Sequence, residues 1–102
     1  MKPGFVYIMT NKSNNVLYTG VSSNLLLRLQ QHQDGYYKGS FTSRYNVTKL
    51  VYWEAYQDIG DAIEREKQIK GGSRRKKLDL ILSMNAEWRD LADDVPDIMS
   101  PF

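Results

Sequence analysis

Three short runs of β-branched and aromatic residues punctuate the chain: Phe5-Val6-Tyr7-Ile8-Met9, Val16-Leu17-Tyr18-Thr19-Gly20, and the stretch from Thr48 to Tyr56. Between the first two lies Asn11-Lys12-Ser13-Asn14-Asn15, which carries turn chemistry. Residues 5–9 and 16–20 therefore predict a hairpin, and residues 48–56 a third strand. Strand side chains alternate faces, so Tyr7 and Tyr18 share a face if the connecting loop holds an even number of residues. The sequence leaves that register open. Gly20 is expected to end the second strand, with Ser22 or Ser23 capping the helix that follows.

Helical spacing takes over from about residue 23 to about residue 33. At ~100° per residue, Leu25 and Leu29 lie ~40° apart and mark a buried side. Arg28 and His32 are separated by the same ~40°, on the flank of that side, where a cleft wall meets solvent. Residues 34–47 show no clear period and are rich in Gly, Tyr and Ser. They predict a long ordered loop, a length that in compact domains often serves function. Asp58 can cap a second helix running to about Lys70; Gly71-Gly72 breaks it; Ser73 caps a third, reaching about Met84. Residues Asn85 to Leu91 are expected to add a short helical turn. Pro96 and Pro101 mark a loose end, so the chain divides into a domain of residues 1–92 and an acidic, flexible tail of residues 93–102.

The second helix holds one carboxylate in an unusual place. With Ala62 at zero, Ile59, Glu66 and Ile69 fall within ~60° of it, whereas Glu64 lies ~160° away. Glu66 thus projects from the apolar face and Glu64 from the solvated one. A carboxylate aimed at a core is costly unless it is paired or bound to a metal. Metal ligation is the favoured reading. Lys70, four residues on, is the serious structural partner, because neighbours one apart such as Arg65 do not face each other on a helix.

Composition narrows the classes available. The chain has 102 residues and no cysteine, so it fits one domain without disulfides, thiol catalysis or a Cys-based zinc site. His32 is the single histidine, which excludes a multi-histidine metal centre. No apolar run is long enough for a membrane span, and a soluble cytoplasmic protein is expected. The net charge of +2 conceals an asymmetry: residues 1–78 hold 13 Lys/Arg against 6 Asp/Glu, and residues 79–102 hold 1 against 6. A basic body of this kind suits a polyanionic partner.

Phenol, guanidinium and imidazole together suit a site that handles phosphate. The ordered run Tyr-x-Gly-x-Ser-x-Asn-Leu-x-x-Arg-Leu-x-x-His from Tyr18 to His32, preceded by Val6-Tyr7-Ile8, resembles the GIY-YIG nuclease family. Val6 stands where the family's first triplet has glycine, and Thr19 where the second has isoleucine; both are expected to be scaffold positions. The resemblance covers roughly residues 5–85 and is nearest to the small stand-alone members. It implies an α/β (α+β) fold with a three-stranded, mostly antiparallel sheet flanked by helices. It also implies a metal-dependent endonuclease acting on DNA, with weak or structure-based selectivity.

The catalytic set implied is Tyr7, Tyr18, Arg28, His32 and Glu66. Glu66, which follows Ala62 by four residues as the family's metal-binding glutamate follows a helical alanine, would hold one Mg²⁺ or Mn²⁺. Phenols ionise near pH ~10, so a tyrosine acting as base needs a positive charge beside it. Gly20 is a further site candidate within the second triplet. Asn85 is another, since the family often carries an asparagine beyond the glutamate. Lys67, Lys70, Arg74, Arg75, Lys76 and Lys77 flank the Gly71-Gly72 break. Four of these bases open a helix, against the usual dipole preference, a placement that a bound phosphate relieves. Arg44 and Thr42 are candidate nucleic-acid contacts of the same kind. A rival reading gives the same cleft to a binding module that recruits nucleic acid without turnover.

Overall fold

β1 (Gly4–Thr10), β2 (Leu17–Ser22) and β3 (Lys49–Tyr56) form one antiparallel sheet in the order β2-β1-β3. The structure, a computed structural model, describes residues 2–34 and 41–95. β1 is central and every residue of it is buried, which explains its unbroken apolar character: both faces are covered. Phe5, Tyr7 and Met9 pack on one side with Leu25, Leu29, Val47, Leu50, Leu91 and Val95. Val6 and Ile8 pack on the other with Val51, Ala62, Ile69 and Ile81. Helix α1 (Leu25–Gln33) therefore covers the first face, and α3 (Ile59–Gly71) with α4 (Arg74–Met84) the second. A four-residue helix, α2 (Phe41–Arg44), precedes β3.

The hairpin register settles the tyrosine question. Thr10 pairs with Leu17, leaving six residues between them, and Met9 pairs with Tyr18 while Tyr7 pairs with Gly20. Tyr7 and Tyr18 are thus diagonal neighbours on one face. The turn is built by Asn11, whose Oδ1 accepts from the backbone of Asn15 (3.0 Å) and Val16 (3.3 Å), and by Asn14 at a φ of 60°. Gly20 does not end β2, which continues to Ser22. The cap of α1 moves accordingly: Ser22 Oγ engages the backbone of Asn24, and Asn24 is the residue whose side chain accepts from Leu27 N. Asp58 and Ser73 cap α3 and α4 as their sequence positions predict.

Two further differences concern the segments either side of β3. The described part of the expected 34–47 loop contains α2; residues 35–40 lie outside the described residues. No helical turn forms over Asn85–Leu91. Instead the Asn85 amide closes a loop onto Arg89, with Trp88 at a φ of 57°, and the helical turn comes later, as a 3₁₀ turn at Ala92–Asp94. Leu91 N donates to Leu50 O (2.8 Å), and Asp90 Oδ1 accepts from Leu50 N (3.3 Å), so this segment lies along the β3 edge. Packing continues to Val95, three residues into the segment expected as a tail; residues 96–102 lie outside the described residues.

Candidate active site

Four elements converge on one aromatic and imidazole cluster. Tyr7 comes from β1, Tyr18 from β2, His32 from the last turn of α1, and Thr42 from α2. The Tyr7 and Tyr18 rings are 6.2 Å apart, and His32 lies edge-on to both, at 6.1 Å and 5.5 Å. Tyr7 Oη is 3.2 Å from His32 Nε2, and His32 Nδ1 is 3.1 Å from Thr42 Oγ1. The result is a buried Tyr7–His32–Thr42 chain with the half-buried Tyr18 packed beside it. Thr42, a candidate phosphate contact by sequence, is here the residue that holds the imidazole.

His32 is kept neutral. Burial pushes its pKa below the usual histidine value, and the Arg28 guanidinium one turn back lowers it further. A neutral ring has one N–H and one acceptor nitrogen. In one tautomer Tyr7 donates to Nε2 and Nδ1–H donates to Thr42; in the other Thr42 donates to Nδ1 and Nε2–H donates to Tyr7. Both orders leave every member of the chain bonded.

Gly20 has a steric role that motif reading alone does not supply. A Cβ on Gly20 would lie 2.5 Å from both Cζ and Oη of Tyr7 and 3.0 Å from Cε2 of Tyr18. The tyrosine ring crosses the bare backbone opposite it, so only glycine admits the observed ring position.

Glu66 is buried, at 9% exposure, while Glu64 is exposed, as the helical phase predicts. Its carboxylate pairs with Lys70 Nζ at 2.8 Å. Hydrogen bonding to Glu66 raises the Lys70 pKa despite partial burial, and Tyr18 adds to it electrostatically. Lys70 therefore sits within electrostatic reach of Tyr18, from the α3 side. The rotation of α3 is locked next door. Arg65 pairs with Glu54 of β3 (3.1 Å), and Tyr52 and Tyr56 donate to the same carboxylate. Burial pushes Glu54 up, but Arg65 and the two hydroxyls outweigh it and leave the pKa lowered. The strand side of this network was open to sequence reading, since Tyr52, Glu54 and Tyr56 alternate along one face, but its Arg65 partner on α3 was not.

The basic residues do not form one uniform patch. Arg74 donates to Asn15 O (3.1 Å) at the hairpin turn, and Arg75 pairs with Asp79 (3.3 Å). Lys77 Nζ donates to Gly72 O (2.9 Å), spending its charge on the carboxyl end of α3. Lys67, Lys76 and Arg44 are exposed. Lys76 lines a groove of about 340 Å³ between α3 and α4, together with Arg65, Gln68, Ile69 and Leu80. Asn85 is not brought to the cluster. Its amide donates to Val51 O and Arg89 O and accepts from Arg89 N, a structural staple on β3.

A family model described as the GIY-YIG catalytic domain matches residues 3–79. The chain belongs to the GIY-YIG family. The matched span takes in Tyr7, Tyr18, Gly20, Arg28, His32, Glu66 and the start of α4, and stops short of Asn85. A UPF0213 protein of Syntrophus aciditrophicus is 40% identical over 81 residues, covering 79% of this chain and 92% of its own. One from Staphylococcus haemolyticus is 38% identical, covering 79% and 96%. The solution NMR structure of a UPF0213 protein from Bacillus halodurans superposes with a TM-score of 0.55 at 26% identity, covering 86% of this chain and 92% of that one. The GIY-YIG domain is a nuclease domain, so membership places this chain among proteins that act on nucleic acid. Among the described residues no helix is long and apolar enough to cross a membrane.

Proposed function

We propose that this GIY-YIG domain is a metal-dependent endonuclease that hydrolyses DNA phosphodiesters with structure-based or weak selectivity, in the cytoplasm. The observation carrying this reading is the buried Tyr7–His32–Thr42 chain packed against a half-buried Tyr18, with His32 held neutral. Tyr7 is fully buried, so its hydroxyl serves the histidine; Tyr18 is the phenol open to substrate. A tyrosine base works through its phenolate, which nearby positive charge stabilises. Arg28, one turn from His32, or the bound metal ion would supply that charge. Tyr18 takes the proton of the attacking water, the new P–O bond forms, and the bond to the leaving sugar oxygen breaks. Arg28 steadies the charge that builds on the phosphoryl oxygens.

Glu66 suits a single hard cation. It is one buried carboxylate, and its partner Lys70 is 59% exposed and free to swing into solvent. Mg²⁺ and Mn²⁺ sites of this class take one or two carboxylates and complete their shell with water and substrate oxygens. When bound there, the ion supplies Lewis acidity at the scissile phosphate and the leaving oxygen. Lys67, Lys70, Arg74, Arg75, Lys76, Lys77 and Arg44 would meet the nucleic-acid backbone beyond the cleft.

The Glu66–Lys70 pair also favours a second reading, in which the carboxylate is structural and the domain only binds nucleic acid. One experiment separates the two. Labelled duplex, branched and single-stranded DNA and RNA are incubated with Mn²⁺ or with EDTA, comparing wild type with Glu66→Ala. The nuclease reading expects Mn²⁺-dependent cleavage lost in Glu66→Ala, with binding kept, and little change in Glu64→Ala. Equal behaviour of wild type and Glu66→Ala would remove the metal assignment.

A further inference from the structure

The short helix α2 presents two aromatic rings beside the active-site cluster, and the reaction just proposed uses neither. Phe41 is 48% exposed and Tyr45 44% exposed. The Phe41 ring is stacked on Tyr18, with centroids 6.4 Å apart and planes at 28°, and Tyr45 lies 4.9 Å from Phe41. Three rings thus run outward from the cluster, from half-buried to open. Exposed aromatic area costs free energy unless something covers it, and here it continues the aromatic cluster of the site. Leu82 and Met84, also exposed, stand on α4 over the opposite face of the sheet.

The pair is rigidly mounted. Thr42, next to Phe41, is buried and bonded to His32. Val47, two residues past Tyr45, is fully buried, and its N–H donates to Thr42 O (2.8 Å). Asn46 takes the left-handed conformation, φ 54°, that turns the chain back for this contact. The histidine and the exposed rings are therefore positioned by one short segment. Arg44, on the same short helix, is exposed.

We propose that Phe41 and Tyr45 form a stacking ledge for a nucleobase next to the scissile phosphate, and that the domain prefers nucleic acid with an unpaired nucleotide at that point. The proposal rests on the nuclease reading above and adds the substrate class. Bases inside a duplex have both faces covered by neighbours, so an aromatic ledge finds a free face only at a nicked end, a flap, a loop or a single strand. Stacking tolerates any base, which fits a site whose selectivity is for structure. Arg44 would take a phosphate of the same nucleotide.

The test uses 2-aminopurine placed at successive positions in a flap or single strand and in the matching duplex, with Glu66→Gln as the non-cleaving protein. The expected result is fluorescence quenching at one unpaired position, abolished by Phe41→Ala and weakened by Tyr45→Ala. In the Glu66-intact protein, Phe41→Ala should lower kcat/KM on the unpaired substrate about 5- to 150-fold more than on the duplex, and be rescued by Phe41→Trp. Because the ring is half exposed, Tm should change little, and a folded variant with lost quenching supports the ledge. If wild type cleaves unpaired and duplex substrates equally and Phe41→Ala matches it, the ledge falls and the nuclease reading stands. If wild type cleaves nothing, the nuclease reading falls, and quenching in Glu66→Gln still decides the ledge. Absence of quenching at every position overturns it and leaves the rings as cover or a protein contact.

Discussion

Gly20→Ala adds one carbon at the point where the structure has least room for it. The new Cβ would lie 2.5 Å from Tyr7 Cζ and Oη, and the ring must move by about 0.9 Å to bring that contact out to an ordinary 3.4 Å. Tyr7 is fully buried and has no open side to move into. Its hydroxyl sits 3.2 Å from His32 Nε2, about 0.3 Å inside the ~3.5 Å at which a hydrogen bond is lost. The displacement needed is about three times that slack. Overpacking of this kind costs ~1–3 kcal/mol. Alanine recovers ~0.5–1 kcal/mol over glycine inside a strand. A net loss of about 0–2.5 kcal/mol follows, with a midpoint of ~1 kcal/mol, or roughly 4–8 °C in Tm at that midpoint for a domain of this size. Activity should suffer more than stability, by ~10²-fold, because a ~1 Å misplacement of a positioning group has that effect.

The assay is a double-mutant cycle on Tyr7→Phe and Gly20→Ala, reading Tm and kcat/KM together. Tyr7→Phe removes the hydroxyl but leaves Cζ where it is. If Gly20→Ala acts on catalysis through the Tyr7 hydroxyl, it should cost little further activity in the Tyr7→Phe background, while its cost in Tm persists. Additive losses in activity would refute the reasoning, and so would a Gly20→Ala protein that keeps wild-type Tm and turnover.

Tyr18→Phe should reduce turnover by ~10²–10⁴-fold with binding nearly unchanged, since it removes a proposed base and leaves the ring; a loss below about threefold would return Tyr18 to a packing role. Lys70→Met should tighten apparent Mn²⁺ binding, read by titration of Tm, by at least about twofold. An i,i+4 pair is worth ~0.3–0.5 kcal/mol even on an exposed helix, and here one partner is buried; weaker binding would mean Lys70 assists the ion. The lowered pKa of His32 makes folding pH-dependent: the unfolded chain binds a proton near pH ~6.5 that the native chain refuses, so stability is full above that pH and declines as pH falls through it toward the native value. Denaturation midpoints measured from pH 7.5 downward should show this decline in wild type and lose it in His32→Gln; identical slopes would remove His32 as its source.

What could be read from the sequence depended on how local the physics was. The three strands and the three longer helices were legible because each is declared within a few residues: turn chemistry at Asn11–Asn15, caps at Asp58 and Ser73, and the break at Gly71-Gly72. The inward phase of Glu66 was legible for the same reason, since it needs only the helical period. Contacts between distant segments were not. Gly20 serves a ring thirteen residues away, Thr42 serves a histidine across an irregular stretch, and Asn85 serves the edge of β3. The cap of α1 was misplaced because Ser22 is still in the strand, where a serine hydroxyl bonds the cap residue itself. Arg65 and Glu54 show the limit most plainly: helix rules discount Arg65 as a partner for Glu66, and its actual partner lies eleven residues back on the sheet.

Strand register and chemistry are one problem in this fold. β1 is buried on both faces, so a slip of one residue would carry Tyr7 from the α1 side to the α3 side, away from His32. Two glycines resist such a slip, one for each face. Gly20 leaves the space that Tyr7 crosses, and a side chain there would evict the ring. Gly4 lets α3 settle onto β1, because a Cβ at that position would lie 2.7 Å from Ile59 Cα and Ala62 Cβ. Ala62 is also the residue from which Glu66 takes its phase, one turn along the same helix. The first glycine thus sets the distance of the carboxylate helix from the sheet, and the second sets the position of the phenol. A substitution at either would disturb the site by displacing its groups rather than removing one, and any shift at Gly4 would be read first in the Glu66–Lys70 pair.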